Sequence, residues 1–202
     1  MQHRAGTACE IRVGREGAGS VEPVNDALRS VEAWLSRRST ELGWRPLFGD
    51  DIGEFDLGTG SPHSAVLQVV DDEWQLRLHT AKGPSLPVLG PVDSSLDVIL
   101  DALMFALYMR ATAELDRPDR SASAQLALVL HRLAEATDDA RYAGRAALLL
   151  AGHAVKDGRD TEARARAEDA VRLFADARDL TAEDNARAVL ESLAPSMNRP
   201  GA

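Results

Sequence analysis

Cysteine occurs once in the 202 residues, at Cys9, so no disulfide framework and no thiolate metal site can form within the chain. A single cysteine near the N-terminus suits a reducing compartment. Aromatic residues make up only 4% of the chain, and the three tryptophans, Trp34, Trp44 and Trp74, all fall in its first half. Long hydrophobic runs are absent. The longest, Leu103 to Met109, is far too short to span a bilayer, and no apolar stretch follows Arg4 as a signal peptide would require. Positive charge is in deficit: 23 basic against 32 acidic residues leave a formal net charge of -9. The cations are almost all arginine and are interspersed with acids, as where Arg164 and Arg166 sit among Glu162, Glu168 and Asp169. Phosphate backbones bind clustered cations, so nucleic acid and anionic membrane are excluded as expected partners. The expected compartment is the cytoplasm.

What is present is ordinary globular composition, 45% hydrophobic and 27% charged, in a chain long enough to bury a core without staples. Arginine over lysine and abundant alanine point to a high-GC bacterial genome. The patterning predicts an α+β fold: an N-terminal helix, a small antiparallel sheet of about three strands, then an all-helical half of antiparallel hairpins. Four regions follow: a flexible tail at 1–22, an α+β domain at 23–117, a helical-hairpin region at 118–195 and a second tail at 196–202. The glycines at 14, 17 and 19 sketch a phosphate loop, but no Lys-Ser/Thr pair follows and no strand precedes it.

Local signals place the elements. Pro23 suits a first helical turn, Leu28, Val31, Leu35 and Leu42 recur at helical spacing, and Gly43 supplies the stop. Glu54 to Leu57 alternates as a short strand. Ser64–Val70 and Glu73–His79, separated by Asp71-Asp72, read as a β-hairpin with Trp74, Leu76 and Leu78 on its buried face. The proline- and glycine-rich stretch from Lys82 to Pro91 is expected to be a loop. Ser94-x-x-Asp97 resembles an N-terminal cap signature before a helix from Leu96 onward, which is apolar on most sides and therefore expected to be buried on most sides. Pro118 ends it. Amphipathic helices are expected over Ala122–Ala136, Ala140–Lys156 and Thr161–Arg178, with another started by Thr181-x-x-Asp184.

Within the last half, Leu150, Gly158, Glu162-Ala163 and Ala170 fall at the first-helix leucine, turn glycine, second-helix opening and close-packing alanine of a repeat pattern. On these residues, Ala147 to Asp179 resembles one tetratricopeptide-type hairpin. Ala147, Ala154 and Ala175 depart from that family's aromatic and proline positions, and no second copy stands 34 residues earlier. The order of elements in the first half, with the acidity, is similar to the type III secretion chaperone-like fold. Those resemblances imply small helical or α+β proteins, often dimeric, that hold a partner chain in apolar grooves.

Catalytic chemistry has no motif here: no nucleophile elbow, no dinucleotide fingerprint and no calcium loop. His131 and Glu135, spaced i, i+4, can touch on one helix face, where a surface pair is the favoured reading. His153 lies near the apolar side of the next helix, where it reads as a hydrogen-bonded core histidine before a ligand. These three are the pocket candidates if the chain is a small enzyme or an accessory subunit, with His131 and His153 a conceivable metal edge lacking a third ligand. The aromatic stretch Trp44-Arg45-Pro46-Leu47-Phe48 lies outside the helix and strand stripes. Trp44, Arg45 and Phe48 are of types enriched at interface hot spots, so they form the candidate protein-binding patch. The other reading, favoured by the usual burial of large aromatics, is a loop folded over the sheet edge to complete the core. The reading favoured by sequence is a non-enzymatic protein-binding module with no cofactor and no catalytic residue, whose partner is another protein or peptide. A homodimer is among the partners the sequence allows. An exposed apolar groove is expected among the helices after Pro118 or around Trp44.

Overall fold

The computed structural model describes residues 22–46, 54–58, 64–80 and 83–193. Both expected tails, Glu22 excepted, and Phe48 lie outside them. The α+β architecture is as expected. An N-terminal helix, α1 (Glu22–Leu42), leads into an antiparallel sheet of six strands: β1 (Arg45–Pro46), β2 (Glu54–Asp56), β3 (Ala65–Val70), β4 (Glu73–Thr80), β5 (Gly83–Ser85) and β6 (Val88–Pro91). Five helices follow: α2 (Leu96–Leu115), α3 (Ser121–Ala136), α4 (Ala140–Lys156), α5 (Asp160–Asp176) and α6 (Leu180–Ser192).

Leu28, Val31, Leu35 and Leu42 are buried along one stripe of α1, and Gly43 ends the helix at φ +69°, a conformation that costs glycine little. The strand order is β1-β2-β3-β4-β5, with β6 joining β5 along the far edge of β4. Asp71 and Asp72 both take positive φ, the two-residue turn whose twist matches the hairpin strands. Trp74, Leu76 and Leu78 are buried, whereas His79 on the opposite face is exposed.

Two local expectations are corrected. The Lys82–Pro91 stretch contains strands β5 and β6 rather than a loop. Its prolines lack only the N–H, and on an edge strand that donor is not required. The Pro87 carbonyl still accepts from the Leu76 amide at 2.9 Å. The cap of α2 is Ser95, not Ser94, and its side chain makes no capping bond; the helix is anchored by burial instead.

The helical half is a regular array. The turns after α3, α4 and α5 place Asp138, Gly158 and Arg178 at φ +56°, +69° and +57°. At each, the next amide (Asp139, Arg159, Asp179) reaches back five residues to the carbonyl of Ala134, Ala154 or Phe174, at 2.8–3.0 Å. These are Schellman closures spaced twenty residues apart. The period is thus twenty residues per helix and forty per pair, which is why no copy stands at a spacing of 34. Asp139 and Asp179 then cap the following helices by accepting from the Tyr142 and Ala182 amides at 3.0 and 3.1 Å. The last helix therefore begins at Leu180 on an Asp179 cap, not at Thr181.

One apolar core runs through both halves, from Leu28 on α1 through Trp74 and Leu76 on β4 to Leu149 and Leu150 on α4. A smaller cluster of Ala147, Ala170, Phe174 and Ala186 closes the C-terminal end. No helix among the described residues is long and apolar enough to cross a membrane.

Close approach of α4 and α5 depends on missing side chains. A Cβ on Gly144 would lie 2.8 Å from the Phe174 ring, while one on Gly152 would meet nothing nearer than Leu115 at 3.6 Å. Helix propensity favours alanine over glycine by about 1 kcal/mol at both positions. Overpacking a filled core costs about 1–3 kcal/mol, and only at Gly144. Gly152→Ala is therefore expected to raise the urea midpoint and Gly144→Ala to lower it. Equal shifts of the same sign would show that the Phe174 contact does not limit the packing.

Candidate functional site

The long helix α2 is covered on several sides but not on all. Ile99, Leu100, Leu103, Met104, Leu107 and Ala111 are buried against the sheet and the neighbouring helices. Val98, Ala102, Phe105 and Met109 form a second stripe at i, i+4, i+7 and i+11, and three of these remain half open: Val98 at 54%, Phe105 at 51% and Met109 at 50%. The expectation that α2 is buried on most sides is corrected accordingly. Beside the stripe, Leu86 and Val88 of the edge segment are equally open. Between them lies a groove of about 430 Å³ walled by Pro87, Val88 and Leu89 on the sheet side and Ala102, Phe105 and Met109 on the helix side. Large apolar side chains exposed singly are ordinary, but three lining one groove mark a contact surface.

A second, more polar recess of about 490 Å³ opens between α4 and α6, with α2 as its third wall and Phe174 at its base. Arg145 stands in it, its guanidinium 5.1 Å from the centres of both the Tyr108 and Tyr142 rings.

Comparison of the chain with family models, curated proteins and solved structures returns no match. The functional reading therefore rests on geometry alone.

That geometry distributes the residues singled out by sequence as follows. Trp44 is only 2% exposed and belongs to the same core as Leu35 and Phe55, so its ring offers no surface to a partner. Arg45 is exposed and faces Asp56 at 3.7 Å. Phe48 lies outside the described residues. His131 and Glu135 do meet, at 3.5 Å, on the outside of α3. His153 does not join them. It is buried between helices, with Nε2 2.9 Å from Ser123 Oγ. Ser123 spends its one hydroxyl proton on the Ala111 carbonyl at 2.7 Å, so its oxygen accepts from His153 Nε2–H. The pair ties α4 through α3 to α2. It spends the Ser123 hydroxyl and His153 Nε2 on holding the helices together. Among the described residues no three metal-capable side chains converge.

The Phe105–Met109 stripe was missed because apolar residues all around a helix read uniformly as core; only their neighbours decide which side stays open. Ser123 carried no signal at all.

Burial lowers the His153 pKa from its ordinary value, and the charge of Arg120 adds to this; Lys156 and Arg159 act the same way, while Asp157 opposes them. The folded state thus binds a proton less readily than the unfolded chain. Stability is fully present above the unfolded-state value, about 6.5, and is lost as pH falls from there toward the lower folded-state value. Urea midpoints measured between pH 7.5 and 5 should fall more steeply in the wild type than in His153→Gln. Parallel slopes would remove His153 as the source.

Proposed function

We propose that the protein is a non-enzymatic protein-binding module, adaptor-like or chaperone-like, that holds an apolar segment of a partner polypeptide in the groove between α2 and β6. The observation that carries this reading is that Val88, Phe105 and Met109, each about half exposed, line one groove, with Leu86 just before β6 and Val98 on α2 equally exposed. Phenylalanine and methionine are enriched at the centres of interfaces, the first for its area and the second because its flexible thioether adapts to irregular surfaces. The groove lies on the face of α2 opposite its core contacts, so a partner can enter without unfolding any element. This location differs from the two expected from sequence: Trp44 is buried, and the recess between α4 and α6 is more polar than this groove. The enzymatic alternative built on His131, Glu135 and His153 gains no support, because these groups do not share a pocket and His153 is committed to Ser123.

The test is isolation of a stoichiometric partner from the native cell, followed by direct affinity measurement with the purified partner. Phe105→Glu should weaken that affinity by at least thirtyfold, the scale of one hot-spot residue at about 2 kcal/mol. Its half-exposed position should keep the stability change within about 0.5 kcal/mol. If sedimentation shows the partner to be a second copy, the same variant should be monomeric. Unchanged affinity in Phe105→Glu, or a wild-type chain that is monomeric and partnerless in its own cell, would overturn the reading.

A further inference from the structure

A separate cavity of about 310 Å³ lies where the end of β4, the last turn of α2 and the first turns of α3 meet. Leu78, Pro118, Ala122 and Leu126 supply apolar walls, and Arg110, Glu114 and Arg117 stand together on one side. Glu114 is only 4% exposed. Its carboxylate is bonded by the Arg110 guanidinium and, at 2.7 Å, by Arg117 Nε.

The triad does not hold the fold together. All three residues belong to α2 or the turn directly after it, at i, i+4 and i, i+3 spacing, so the ion pairs link no two elements. Taking ionised groups out of water costs several kcal/mol each, and apolar residues of similar volume would pack such a corner at least as well. A helix end that retains them beside a cavity has them arranged for something that enters it.

The charges say what. One carboxylate is shared by two guanidiniums, so the triad itself carries one positive charge beside the apolar walls, offset across the rim by Asp119. Each guanidinium carries five donors, and only Nη2 of Arg110 and Nε of Arg117 are engaged with Glu114, so unused donors remain on both. The other acid at the rim, Asp119, is engaged with the Ser121 amide at 3.0 Å and its hydroxyl at 2.6 Å. A planar fork of donors matches a carboxylate in two-pronged geometry. The apolar walls suit a short hydrocarbon or aromatic body behind it, and the volume lies at the small end of ligand pockets.

We propose that this cavity binds a small organic monocarboxylate, its carboxylate held by Arg110 and Arg117 and its apolar body against Leu78, Ala122 and Leu126, with Glu114 as the residue that positions both arginines. The site adjoins the protein-binding groove, with Leu78 and Arg110 lining both, but Arg117 and Ala122 line the cavity alone and separate the two in a test.

The full chain is titrated with benzoate, hexanoate and the neutral isostere benzamide, followed by amide chemical shifts and calorimetry. At least one of the two carboxylates should bind saturably, and benzamide should bind at least tenfold more weakly than benzoate. Arg117→Gln, a change at a part-exposed residue beyond the helix end, should weaken carboxylate binding at least tenfold. Ala122→Phe, which fills the cavity, should abolish it, and the surface control Arg172→Gln should have no effect. Because Arg117→Gln does not alter the core, it decides the matter even if Ala122→Phe folds poorly. Absence of saturable binding by both carboxylates, equal binding of benzamide, or full binding by Arg117→Gln would each overturn the proposal.

Discussion

The structure depends on covering α2. A twenty-residue helix with apolar side chains around most of its circumference cannot sit on a surface, as an amphipathic helix does, without leaving a stripe in water. The sheet takes one side through β4 and β6, and α1, α3 and α4 take others. Those elements also pack on one another, β6 along β4, α1 on α3 and α3 on α4, so the core is continuous from Leu28 to Leu150 across the proline at 118. What this arrangement leaves uncovered is the stripe through Val98, Phe105 and Met109. The binding surface proposed for the molecule is thus the remainder of the same hydrophobic demand that organises its core.

The C-terminal array obeys a different constraint, that of helix spacing. Three identical turns, twenty residues apart, set each helix antiparallel to the last, and only one of the three uses glycine at the left-handed position. Asp138 and Arg178 accept a small conformational cost there, met by the two backbone bonds that close each turn. Alanines at 143, 147 and 151 on α4 and at 163, 167 and 170 on α5 are all buried, so the two backbones come close with little side-chain volume between them. Phe174 is the exception, and Gly144 is the vacancy that accepts it. The recess between α4 and α6 follows from the same geometry, because alternate helices of such an array do not pack directly.

Much of this was legible from residue order. Periodicity located α1, the β3–β4 hairpin and every later helix within a residue or two, because their burial is one-sided and burial is what patterning records. The readings that failed did so where a residue's local preference was overridden by its neighbours. Proline and glycine over Lys82–Pro91 signal a loop, yet an edge strand tolerates them. Trp44 sits outside every stripe and allowed two readings, interface patch or core; its burial bears out the second, as the size of the ring favours. Ser123 and Glu114 carry no pattern that marks them, yet both are buried by elements that arrive from elsewhere in the chain.

By itself, then, the sequence determined the class of fold, the order and limits of its helices, and the net acidity of the chain. These properties are local or additive: each follows from side chains within a few positions of one another, or from their sum. Tertiary structure alone decided which face of α2 stays open, where the paired arginines and Glu114 meet an apolar cavity, and that His153 is spent on Ser123. Each of those depends on residues 30 or more positions apart meeting across packed elements. Only closure of the core specifies such meetings, because the free energy that selects them is the burial of the whole assembly and not the preference of any one segment.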